Sequence, residues 1–282
     1  MTASAPIRQL PYRPSGRHRR ERERENSPMR LLPQVWVLTL RILRRWSRDP
    51  ATLVQSLVMP AGFLVALDIV LGEGLEQVTG HSGLYAQVPL VALVGGMTGA
   101  IIGAVGTMRE REVGLLSRFW VVPIHRGAGL LARLTSDAVR IVLITLVVMG
   151  VGFALGFRFE QGILAAIAWV FMPAVFGVAL SAAVLTLALY SANTIVPQAT
   201  EIVIAVLMFF STGFVPLDQY PEWLQPFVEH QPVSYTIEAM RGLSLEGPIA
   251  EPVMFTLLWA AGIMAVCAVP LTLGYRKASK RG

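Results

Sequence analysis

Six long apolar stretches constrain this chain more than any other feature. They fall at about 51–72, Tyr85 to Thr107, 136–157, 162–190, 196–214 and 252–274. Roughly 20 apolar helical residues cross the ~30 Å hydrocarbon core of a bilayer, and each stretch reaches or approaches that length. Composition agrees, with 54% hydrophobic and only 15% charged residues, against about 25% charged in soluble domains. The expected fold is an all-α integral membrane protein with six transmembrane helices over 51–274.

Several spans carry interruptions. Pro60 lies in the first, and Gly95, Gly96, Gly99, Gly103 and Gly106 lie in the second. The Gly99-x-x-x-Gly103 spacing lets another helix approach closely. Pro173 and Gly177 predict a tilt or kink in the long fourth stretch.

The flanking segments differ in kind. Residues 1–30 mix Pro, Ser and Arg with the alternating Arg20-Glu21-Arg22-Glu23-Arg24-Glu25 block, which has no face to bury and reads as a disordered cytoplasmic tail. Without an apolar stretch in those residues, no cleavable signal peptide is expected. Residues 31–49 place Leu32, Val35, Trp36, Leu40, Leu43 and Trp46 at helical spacing, with Arg41, Arg44, Arg45 and Arg48 on another side. That pattern predicts an amphipathic helix in the membrane interface, with Trp at headgroup depth and Arg toward phosphate. Asp49-Pro50 ends it. Residues 275–282 form a basic cytoplasmic tail.

Charge gives orientation. The formal net charge is +6, and 12 of the 24 Lys and Arg residues precede residue 51. The segment between the second and third stretches adds six, counting Arg140, and the C-terminal tail adds four. The opposite side holds only Arg158 and Arg241 and collects acids such as Glu160, Asp218 and Glu222. The positive-inside rule then places both termini in the cytoplasm. The basic run lacks any nucleic-acid recognition motif, so its expected partner is anionic membrane lipid.

Chemistry within the chain is not expected. No GxxxxGK[ST], HExxH or GxSxG motif occurs. Cys267 is the single cysteine, and His18, His81, His125 and His230 are dispersed, so no metal, cofactor or catalytic residue is expected. Only Asp68 and Glu201 are read as ionisable groups near mid-membrane, and both read better as satisfied polar residues than as a proton relay. So few charges point to an energy source on another polypeptide.

Two segments between spans stand out. The first runs from Met108-Arg109-Glu110-Arg111-Glu112 through Leu115, Leu116, Phe119 and Trp120 to Pro123. It reads as an interfacial helix, or more sharply as a knob inserted into a cytoplasmic motor. The second follows the fifth stretch, from Ser211-Thr212-Gly213 through Trp223 and Phe227 to Gln231-Pro232-Val233-Ser234 and Ala239-Met240-Arg241-Gly242. It reads as short re-entrant or interfacial outer helices capping the bundle, with Phe214, Trp223, Phe227 and Gln231 as a lid or exit.

On these two segments the chain resembles the membrane subunit of type-2 ABC exporters, most closely the daunorubicin-resistance permeases in their mycobacterial DrrC-like branch. The likeness runs from about 35 to 278 and includes Gly156-Phe157-Arg158-Phe159 and His230-Gln231-Pro232-Val233-Ser234-Tyr235. It implies a dimerising permease docked on two copies of a separate nucleotide-binding ATPase subunit, which would hold ATP and Mg. It also implies a second, non-identical permease. Carried over by resemblance, the ATPase-coupling residues are Trp36, Arg41, Arg44, Arg45, Glu110, Arg111 and Glu112. The substrate implied is hydrophobic or amphiphilic: a phthiocerol-type waxy lipid or an anthracycline-like drug. An ion-coupled secondary carrier is the alternative, and a non-transporting membrane scaffold is a third class.

Overall fold

The computed structural model describes residues 28–112, 125, 127–190, 195–245 and 247–280. Every regular element among them is helical. Of the expected tail over 1–30, residues 28–30 are helical instead and begin the first helix, while 1–27 and the expected helix with Leu115 to Trp120 lie outside the described residues.

Helix α1 (Pro28–Ser47) carries Arg44 and Arg45 in its last turn, where cations complement the partial negative charge of the helix end. Asp49 then starts the next helix. Its carboxylate accepts from the Thr52 amide at 3.4 Å and the Thr52 hydroxyl at 2.7 Å, and Pro50 occupies the first position, where no amide is needed. Helix α2 (Pro50–Leu53), a π turn (Val54–Val58) and α3 (Met59–Thr79) follow without a break. Pro60 has no amide to offer the preceding turn, and the chain widens into the π turn just before it.

Helix α4 (Leu84–Glu112) is the centre of the bundle. Its apolar window is 72% buried, against 17% for the first and last spanning helices. Small residues allow that position. Antiparallel α5 (Ala128–Leu155) lies so close that a Cβ on Gly95 would stand 2.8 Å from Ile144 Cγ2, and one on Gly96 2.9 Å from Ile141 Cγ2. The close approach expected from the glycines of this helix is therefore made within the chain.

At the far end, Gly156 closes α5 with φ +115°, a conformation that side-chain-bearing residues rarely adopt. Arg158 secures the turn by donating from Nη1 to the carbonyls of Phe153 and Phe157, both at 2.7 Å. Phe157 and Phe159 pack on Trp169 of α6 (Ile163–Tyr190) with ring centroids 5.9 and 5.7 Å away. Helix α6 runs unbroken through Pro173, and Gly177 makes room for Ile141 Cδ1, which would lie 2.6 Å from an added Cβ.

The fifth stretch departs from expectation. Five described helices are long and apolar enough to cross a membrane: Pro50–Gln77, Leu84–Glu110, Ala128–Leu155, Ile163–Tyr190 and Ala250–Tyr275. The expected span at 196–214 is helical only as α7 (Ile195–Phe209), 15 residues, about 22 Å at 1.5 Å per residue. Ser211 to Gly213 end it. There the chain meets α4 and a later helix: a Cβ on Gly213 would stand 3.1 Å from Leu90 Cβ and 2.8 Å from Ile237 Cδ1.

The chain must nonetheless return across the bundle between residues 190 and 250. Tyr190 ends α6 beside the last turns of α10 (Ala250–Lys280), its hydroxyl donating to the Pro270 carbonyl at 3.0 Å. Residue 250 begins α10 at the opposite end. Helix α7, a 3-10 turn (Leu217–Gln219), α8 (Gln225–His230) and α9 (Pro232–Ser244) make the return. Helix α9 packs on α4, α6 and α10, with Val233, Ile237, Ala239 and Met240 fully buried.

Candidate functional site at the arginine-rich end of the bundle

Helices α4, α5 and α10 and the surface helix α1 converge at one end of the molecule. Two hydrogen bonds fix α1 there. Thr39 Oγ1 donates to the Ala132 carbonyl at 3.3 Å, and the His125 amide donates to Gln34 Oε1 at 2.8 Å. Both contacts anchor α1 to α5 or to the segment just before it.

Glu110, in the last turn of α4, lies at the centre. One carboxylate oxygen faces Arg41 Nη2 at 3.6 Å and Arg45 Nη1 at 3.3 Å, and the other is held by Arg133 Nη2. Arg133 also donates from Nη1 to Thr107 Oγ1 at 2.6 Å. Glu110 is buried, with its side chain only 9% exposed, whereas Arg41 and Arg45 are 44% and 64% exposed. A single buried carboxylate thus joins the surface helix to two spanning helices. Tyr275 of α10 lines the same small cavity as Glu110 and Arg133, and its hydroxyl occupies the space a Cβ on Gly129 would need.

Further into the bundle, the same face of α5 carries a second charged pair. Arg140 Nη2 bonds the carboxylate of Asp137 and donates to the Gly99 carbonyl at 2.7 Å. Both residues are buried, and the missing Cβ of Gly103 makes the space they occupy. Glu110–Arg133, Gly103–Asp137, Gly99–Arg140 and Gly95–Ile144 therefore form the rungs of one antiparallel ladder. Small residues on α4 admit long or charged ones from α5.

The ladder corrects two expectations. Arg133 belongs to the spanning helix rather than to a loop, and Arg140, counted with that loop's charges, is buried in the same helix. Asp68 and Glu201 are not the principal buried ionisable residues: Asp68 is half-buried, Glu201 is exposed, and Asp137 and Arg140 lie deeper. Sequence reasoning missed Arg133 by starting the third span at 136, and passed over Asp137, which lies inside that span. The available signal was the spacing 133, 137, 140, which puts all three charges on one helix face. Charges buried this way must be paired.

The expected coupling residues separate into groups. Arg41, Arg45 and Glu110 come together in the cluster. Arg44 is exposed beside them, and Trp36, 60% exposed, points away from the bundle. Arg111 and Glu112 end α4, and their side chains lie outside the described residues.

The expected lid also separates. Gln231 is buried and works as a tie, its Nε2 donating to the Phe210 carbonyl and, at 3.2 Å, to Ser234 Oγ. The Thr212 amide donates to the same hydroxyl at 3.3 Å. The Gln231-Pro232-x-Ser234 sequence thus fastens the end of α7 to α9. Phe214 stacks edge-on to Phe209 at 4.9 Å. Trp223 and Phe227 are exposed.

Comparison with known proteins agrees with this architecture. Residues 33–245 match the family model described as ABC-2 type transporter. The chain is 49% identical over 255 residues to the probable doxorubicin resistance ABC transporter permease protein DrrC of Mycobacterium tuberculosis, covering 90% of this chain and 92% of that protein. It is 26% identical over 243 residues to the daunorubicin resistance ABC transporter permease protein DrrB1 of Streptomyces coeruleorubidus, covering 86% and 84% of the two. A family match across most of the chain, and a relative of nearly equal extent, make this protein a multi-pass membrane member of the ABC-2 type transporter family.

Proposed function

We propose that the chain is the permease subunit of an exporter that moves a hydrophobic or amphiphilic molecule outward, driven by ATP hydrolysis on a separate subunit. Two copies of that ATPase subunit, carrying ATP and Mg, dock at the arginine-rich end, and a second, non-identical permease completes the membrane assembly. The arginine-rich end is cytoplasmic, and α7 with the short helices after it forms the sixth passage. The relatives are drug-resistance permeases, and the same chemistry suits a phthiocerol-type wax or an anthracycline.

One observation carries the reading. Glu110 ties α1, the helix most accessible to a cytoplasmic subunit, to the ends of α4 and α5. Movement imposed on α1 therefore reaches the bundle through an ion cluster, without chemistry in this chain. Spreading the cluster leaves a buried charge unpaired, so two discrete arrangements are favoured over gradual bending. The test is ATP hydrolysis and substrate efflux by the chain reconstituted with its ATPase subunit. Glu110→Gln should lower substrate-stimulated hydrolysis at least tenfold while membrane insertion persists. Full stimulation by this variant would remove Glu110 from the coupling path, and no ATPase association by the native chain would end the exporter reading.

A further inference from the structure

Outside the Glu110 cluster, α1 and the start of α2 enclose a groove of about 920 Å³ with an unusual charge balance. Arg41, Arg44, Arg45 and Arg48 line it, and Asp49 is the acid among the residues lining it. Arg109 stands close enough to Asp49 to act on that carboxylate. Arg41 and Arg45 face Glu110. The guanidiniums of Arg44 and Arg48 have no acidic partner among the described residues.

The rest of the chain offers little compensation. Residues 1–27 contain seven arginines against Glu21, Glu23 and Glu25, and 113–124 contain Arg118 and no acid. An anion from outside the polypeptide would balance this excess. The groove is also partly apolar. Val37, Leu40 and Pro50 complete its wall, and the first span continues from Pro50 with Val54 and Val58 more than half exposed. Phosphate-binding groups beside an open apolar helix face, at the level where an interfacial helix meets a span, match a phospholipid rather than a soluble anion.

We infer that this groove binds the phosphate headgroup of an anionic phospholipid, with Arg44 and Arg48 as its principal ligands and the acyl chains lying against the first span. The site rests on the reading of α1 as an interfacial helix, and it needs neither the ATPase subunit nor transport. Lipid held there would brace α1 against the bundle beside Glu110, so membrane composition would set how firmly the surface helix is seated.

The experiment uses the full-length chain, delipidated in neutral detergent and titrated with phosphatidylglycerol or phosphatidylcholine. Bound lipid is counted by native mass spectrometry. Phosphatidylglycerol should bind at least tenfold tighter. Arg44→Gln with Arg48→Gln should weaken it by roughly thirtyfold, about fivefold for each arginine alone, while phosphatidylcholine binding stays unchanged. Arg44→Lys with Arg48→Lys should keep most of the preference. If the paired Gln variant unfolds, the graded single variants give the same reading. Equal binding of the two lipids by the native chain overturns the site, as does an undiminished preference in the Gln variants. Competition by inorganic phosphate as strong as by lipid would make it a soluble-anion site. Intact lipid preference with lost ATPase capture would make it a protein dock.

Discussion

Glu110 and its arginines show how much one residue can connect. Removing one partner of a buried ion pair costs on the order of 3–5 kcal/mol, because the remaining charge keeps its desolvation penalty. Glu110→Gln should therefore lower the thermal unfolding midpoint of the purified chain clearly. Adding Arg133→Met should recover part of the loss, because both members of the most buried contact are then neutral. A double variant less stable than either single one would show that the residues do not act as a pair. Asp49 makes a smaller, pH-dependent contribution. The Thr52 hydroxyl and then the Thr52 amide hold its carboxyl below the ordinary aspartate range. Its capping of α2 is thus complete above the ordinary Asp pKa and is lost as pH falls through the lowered value. Amide exchange at Thr52 should accelerate only in that acidic window, and not at all in Asp49→Asn.

At the scale of helices, the α4–α5 contact depends on which glycine faces which side chain. An added Cβ at Gly103 would fall 2.5 Å from Asp137 Oδ1 and 2.9 Å from Arg140 Nη2, while one at Gly106 meets nothing within 4 Å. Helix propensity favours alanine equally at both sites, so the difference between the two substitutions isolates packing. Gly103→Ala should cost about 1–3 kcal/mol, as overpacking does, and Gly106→Ala should be neutral or slightly stabilising. Chemical denaturation of the two variants in the same detergent checks this, and equal midpoints would contradict the ladder. The glycines were visible in the sequence as a helix-packing signal. Their partner was not, because no spacing rule says whether a glycine face meets another helix of the chain or another molecule.

For the whole molecule, charge and geometry agree on polarity. Helix α1, the end of α4, the start of α5 and the end of α10 gather at one end with most of the described arginines, while Glu160, Asp218, Glu222 and Glu229 lie in segments at the other. Cysteines introduced at Ser47 and Glu222, both exposed, should react from opposite sides. A membrane-impermeant maleimide should label Glu222→Cys in intact cells and Ser47→Cys only after permeabilisation. The native Cys267 is buried in a span and should contribute little background. The opposite labelling pattern would reverse the assigned orientation, and labelling of both from the same side would deny that α7 completes a passage.

Helical, membrane-embedded character, the Asp49-Pro50 break after the surface helix and the family resemblance were legible in the sequence, although that helix begins at Pro28, inside the expected tail. These properties are carried by local composition: apolar length, the Asp49-Pro50 break and the motif residues near 110 and 231. Packing of the helices settles what local sequence does not: that Arg133, Asp137 and Arg140 lie inside the bundle, that Gln231 is a buried tie between α7 and α9, and that the fifth apolar stretch is a short helix with irregular continuation. A charge near a span boundary looks the same in sequence whether it faces water or a paired partner. The cost of burying it is met by residues far away in the chain, so its place is settled only when the helices pack.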